Sequence, residues 1–167
     1  KSGYDRFASS PIKVADGIIY HAATKDELAK VVHDFGVAAR KCKLAGCDGV
    51  QIHAAHGFLL TTFLSPHFNK RADEYGGPIE NRSRLLFEIY DSVRNAVGVD
   101  YPIALKLSFS DLVSDSSTPE EMLWVCKELE KKGIDFIEVS SGISADNSGA
   151  SCSPVLRNGD REGKFLE

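Results

Sequence analysis

Apolar residues recur along this chain in two alternating rhythms. After the first ~23 residues, which mix Gly, Ser and Pro without a period and read as loop, Leu28, Val31, Val32, Phe35, Ala38, Ala39 and Cys42 return at helical spacing. Thr24 with Glu27 three residues later forms a capping box ahead of that run, and Gly46 closes it. A short apolar stretch, Gly49 to His53, then reads as a buried strand, and a loop rich in Asn, Asp, Gly and Pro runs from about Gly57 to Pro78. The same alternation returns twice. Leu85, Leu86, Ile89, Val93 and Val97 mark a second helix ending at Gly98, followed by a strand from Ile103 to Ser108. Thr118, Pro119 and Glu121 open a third helix that buries Met122, Val125, Cys126 and Leu129 and stops at Gly133. Phe136 to Ser140 is the third strand, and a Ser-Gly-Asn-rich loop follows.

Three helix–strand alternations predict a parallel sheet. Gly46-Cys47-Asp48 before the first strand is echoed by Gly133-Ile134-Asp135 before the third, as expected of repeated β/α units. Such units fit a (β/α)₈ barrel or an open doubly wound sheet. No Gly-x-Gly-x-x-Gly or Walker-type phosphate loop follows any strand, which favours the barrel. Barrel chemistry sits at the C-terminal ends of the strands, where the sequence places His53, Lys106 and Ser140. The expected fold is a partial (β/α)₈ TIM barrel with three parallel strands and intervening helices, because three strands cannot close a barrel that needs about eight.

Composition narrows the function classes. Of 167 residues, 43% are hydrophobic and 26% charged, and the net charge is −4, so no basic surface for nucleic acid is expected. No apolar run approaches the roughly 20 residues of a membrane span. Cys42, Cys47, Cys126 and Cys152 form no CxxC pair and are expected to be reduced thiols, which points to a cytoplasmic setting.

His53-Ala54-Ala55-His56 is the informative cluster. Three-residue spacing brings both imidazoles to one face if the chain turns after the strand, and Gly57 permits that turn. Two neutral imidazoles could stabilise negative charge on a substrate oxygen. They could also ligate a metal, given a third ligand, or simply satisfy loop carbonyls. His21, His33 and His67 show no partner spacing and read as surface or loop residues, and Asp111 follows the second strand without an assigned role. Asn69 to Gly77 with Asn81 and Arg82 read as residues that fix the long loop, including an Arg–Asp pair.

The stretch from Ala45 to Arg84 carries Gly-Val-Gln-Ile-His-Ala-Ala-His-Gly-Phe, then Phe63-Leu64-Ser65-Pro66, Asn69-Lys70-Arg71-Ala72-Asp73-Glu74-Tyr75-Gly76-Gly77 and Glu80-Asn81-Arg82. In residue types and order it resembles the old yellow enzyme (NADH:flavin oxidoreductase) family, more loosely from about Pro11 to Gly142. The resemblance implies an FMN-dependent barrel that takes hydride from NADH or NADPH and passes it to an electron-poor alkene or quinone-like acceptor. It implies that His53 and His56 bind the substrate oxygen, with Ala54, Ala55 and Phe58 in the substrate-binding segment, and that no metal is used. The family's basic residue beside the flavin, usually Arg, corresponds to Lys106, whose other reading is a cation paired with a loop carboxylate. The family's usual Tyr, which donates a proton to the substrate, is replaced by Phe58. By the same comparison residues 1–167 are expected to be the central segment of one FMN-binding barrel domain. That segment lacks strands on both sides and would either associate with itself or with further barrel segments, or be inactive alone. Return of hydride from the unprotonated product would make the enzyme an alkene isomerase as well.

Overall fold

The computed structural model describes residues 6–13 and 17–142. The chain runs β1 (Phe7–Ala8), β2 (Ile12–Lys13), β3 (Ile19–Ala22), α1 (Lys25–Leu44), β4 (Val50–Ala54), α2 (Leu59–Leu64), α3 (Ile79–Arg82), α4 (Arg84–Val97), β5 (Ile103–Ser110), α5 (Pro119–Lys131) and β6 (Phe136–Ser141).

β4, β5 and β6 form a parallel sheet in that order, with α4 and α5 as its crossovers. Both capping boxes form as their sequences require: Thr24 accepts from the Glu27 amide, and Thr118 from that of Glu121. Because side chains alternate across a strand, one face of the sheet is apolar. Ile52, Ala54, Ile103, Leu105 and Leu107 point into a core shared with Leu85, Leu86, Ile89 and Val93 of α4 and Met122, Val125 and Leu129 of α5. The opposite face carries Gln51, His53, Lys106, Ser108, Glu138 and Ser140. That polar face is where chemistry can take place.

The N-terminal end of the sheet is tied by Asp135, which accepts from the Ile103 amide (2.9 Å) and from Arg94 (2.8 Å). At the equivalent turn before β4 the Val50 amide bonds the Pro102 carbonyl (3.1 Å) instead, so the echo between the two units extends to the turn and not to this tie.

Three expectations need correction. The first ~23 residues are not all loop: β1 pairs parallel and β2 antiparallel with β3. Strands of two to four residues are too short to show a period. The segment from Gly57 to Pro78 contains α2, whose residues Leu60 to Leu64 are all buried and so show no polar stripe. Lys106 lies in the middle of β5 rather than at its end, because that strand runs on to Ser110. The expected Ser-Gly-Asn-rich loop, beyond Gly142, and Cys152 lie outside the described residues.

The remainder of the long loop is fixed by polar side chains, as the sequence suggests. Asn69 donates to the carbonyls of Phe63 (2.7 Å) and Tyr75 (2.8 Å). Arg71 forks onto Asp73 and also reaches the carbonyls of Ser9 (3.0 Å) and Ala23 (2.8 Å), joining the loop to the small sheet. Gly76 passes so close to Arg71 that a Cβ would lie 2.1 Å from its carbonyl oxygen, so no other residue fits there. Arg82, 3% exposed, pairs with Glu121 and donates to Leu64 O, Gly77 O (2.9 Å) and Ser117 Oγ (3.3 Å).

Candidate active site

Beyond Ala54 the chain leaves the sheet sharply. His56 and Gly57 both adopt left-handed backbone, at φ 63° and 79°. For histidine this costs on the order of 1 kcal/mol or more and requires outside support. Ser108 supplies it: its Oγ accepts from the His56 amide at 3.0 Å. The turn delivers Phe58 to the start of α2 and folds the His56 ring back over the polar face of the sheet.

Two imidazoles and a phenyl ring therefore meet. The rings of His53 and His56 are 5.4 Å apart, and those of His53 and Phe58 are 5.0 Å apart, both tilted. Nε2 of His56 lies 2.6 Å from Oγ of Ser140 on β6. His56 is buried, whereas His53 and Phe58 are open to a ligand. Ala54 and Ala55 are fully buried, Ala54 within the core.

Below the histidines, His53, Lys106 and Glu138 occupy one rung across β4, β5 and β6. Lys106 Nζ is 2.6 Å from Glu138 Oε1, and Gln51 Nε2 donates to Glu138 Oε2 at 3.0 Å. The lysine thus has a carboxylate partner, on a strand rather than in a loop. Glu138 is held below the usual carboxylate range by the Lys106 bond first and the Gln51 bond second, so it is ionised. Both histidines are held below their ordinary value, chiefly by burial. The Lys106 charge adds to this for His53; for His56 the neighbouring His53 adds more than Lys106 does. Both shifts favour the neutral imidazole near pH 7, and the exposed His53 can present an N–H donor to a ligand.

Neither Glu138, Gln51 nor Ser108 stood out in the sequence. The available signal was their placement in period-two step with His53, Lys106 and Ser140 along the same three strands. Among the described residues no group of three His, Cys, Asp or Glu side chains is arranged to hold a metal. His21 and His67, read as lacking partners, pair with Glu27 (2.8 Å) and Asp115 (2.6 Å) at the surface. Cys42, Cys47 and Cys126 are free thiols. No helix among the described residues is long and apolar enough to cross a membrane.

Residues 5–152 match a family model described as the NADH:flavin oxidoreductase / NADH oxidase family. The chain is 43% identical over 119 residues to an NADPH dehydrogenase of Geobacillus thermodenitrificans, covering 71% of this chain and 34% of that protein. It is 44% identical over 120 residues to Enoate reductase 1 of Kluyveromyces lactis, covering 67% and 29%. The old yellow enzyme homologue from Zymomonas mobilis superposes with a TM-score of 0.75 at 33% identity, covering 84% of this chain and 43% of that one. The chain thus spans about a third of the length of these curated relatives.

Proposed function

This chain belongs to the NADH:flavin oxidoreductase / NADH oxidase family, and on that premise we propose that the protein carrying it is an FMN-dependent reductase of electron-poor alkenes and quinone-like acceptors, using NADH or NADPH. Its parallel α/β architecture is part of a TIM barrel of the old yellow enzyme type. The observation that carries the reading is the pair of imidazoles, 5.4 Å apart, beside a lysine on the polar face of the sheet.

The donor set suits a flavin. Lys106 and Gln51, both held by Glu138, would turn their remaining N–H donors on the polar face toward a ring edge with carbonyl acceptors that becomes anionic on reduction. When bound, the flavin supplies the two-electron chemistry. His53 and His56 would grip the carbonyl or nitro oxygen of the substrate and lower the energy of the enolate-like charge that grows there. Ser140 and Ser108 hold the second imidazole in place from β6 and β5. Phe58 packs on His53 and has no acidic proton, so protonation at the α-carbon falls to solvent or another group.

The test is reconstitution. The protein, saturated with FMN, should show the visible flavin bands, bleach anaerobically with NADH or NADPH, and recover colour with cyclohexenone. Absence of flavin binding would sink the reading.

A further inference from the structure

Glu138 stands on β6, at one side of the polar face beside Lys106 of the middle strand, and belongs to none of the roles above. Its two carboxylate oxygens are divided between strands: one takes the Lys106 ammonium at 2.6 Å and the other takes the Gln51 amide at 3.0 Å, 87 positions away in sequence. The contact with Gln51 spans from β6 to β4 over β5. Lys106 is opposite His53 on one side and opposite Glu138 on the other. A lone ammonium here would leave the face positive and free to swing on its four-carbon stem. The carboxylate removes both freedoms.

We propose that Glu138 is a positioning residue that clamps Lys106 and Gln51 and cancels the lysine's charge, thereby setting the electrostatic potential felt by the histidine pair and by the flavin. The proposal rests on the flavin-dependent reading for its second half only. The charges acting on His53 and His56 from the neighbouring strands are Lys106, which pushes both imidazoles toward neutrality, and Glu138, which opposes it. Removing the carboxylate charge strengthens the first influence and deletes the second.

Glu138→Gln keeps the shape and one acceptor for Lys106 while removing the charge. With flavin bound, the uncompensated ammonium favours the reduced anion. The preference for reduced over oxidised flavin should rise about tenfold, which for a two-electron couple is about 30 mV in midpoint potential. Lys106→Met in the same background should abolish that rise, since the two residues act as a pair. A purely structural role for Glu138 would weaken binding of both flavin forms alike. The histidine arm needs no flavin: followed by NMR against pH, His53 and His56 in Glu138→Gln should titrate at lower pH than in the unmodified protein. Titration curves that superpose would overturn the inference whether or not flavin binds. An unmoved potential in the flavin-loaded variant would overturn its second half. A protein that binds no flavin but shows separated curves would sink the functional reading and leave the charge-setting role standing.

Discussion

Ser140 of β6 places its hydroxyl 2.6 Å from Nε2 of His56, a residue 84 positions earlier that has already left β4. The second histidine of the pair is therefore positioned by the far strand of the sheet, while its backbone is positioned by Ser108 on the middle one. The geometry of the histidine pair thus depends on the β4–β5–β6 register as much as on the His-Ala-Ala-His segment itself.

Replacing either His53 or His56 by Ala should lower kcat/KM for an enone by about 10²-fold, the scale for loss of one donor to a developing oxyanion. Ser140→Ala leaves the donor present but its ring unsupported, and should cost about tenfold, on the order of one hydrogen bond. Flavin reduction by NADH or NADPH should change less in all three. Stopped-flow traces in which both half-reactions fall together would mean a folding defect instead.

Phe58→Tyr should speed reoxidation of the flavin by enones and leave reoxidation by quinones unchanged. Phe58 is 54% exposed and lies tilted against His53, so a hydroxyl can be added without overfilling the core. It would offer an acidic proton beside the substrate, whereas reduced quinones take theirs from water. Equal enone rates in the two proteins would show that another group already donates the proton.

Much of this site is legible in the sequence because it rests on local rules. The helix caps at Thr24 and Thr118, the strand–turn at His53 to Gly57 and the polar anchors at Asn69, Arg71 and Arg82 each announce themselves within a few residues. What escapes notice lacks a period or joins distant segments. α2 is buried on all sides, β1 and β2 are two residues each, and the Glu138 clamp joins residues 32 and 87 positions apart. Phe58, which begins α2 without any side-chain cap, gave no warning of a helix.

Stability should fall as the pH drops below about 6.5. Burial holds His53 and His56 below that ordinary value in the folded protein. Between the folded and unfolded values the unfolded chain binds more protons, so acidification favours unfolding. Asp73, Asp135 and Glu138 are depressed carboxylates, and their contributions are lost only as the pH falls through about 4 and below. Urea midpoints at pH 7.5 and 5.5 should differ, and the difference should shrink in a His53→Gln/His56→Gln variant. An unchanged difference would assign the effect elsewhere.

The 167-residue chain should self-associate. Among the described residues β4 and β6 each pair only with β5, leaving two open edges. On β6, Phe136 is 60% exposed and Val139 52%. Light scattering should give a mass above that of one chain, and Phe136→Lys with Val139→Lys should reduce it. A monomer that resists concentration would count against this.

Arg82 carries a consequence for recombining this sequence with its relatives. One buried guanidinium satisfies carbonyls at Leu64 and Gly77, before α4, and side chains at Ser117 and Glu121, at the start of α5. Burial pulls its pKa down while Glu121 pulls it back up, so the carboxylate is the counterion of this buried charge. The segments following β4 and β5 thus form a physically matched set. A chimera that imports residues 59–82 without their own partners at 117 and 121 strands a buried charge, which typically costs about 3–5 kcal/mol. Crossover points should therefore leave residues 64–121 together, so that Arg82 keeps all of these partners.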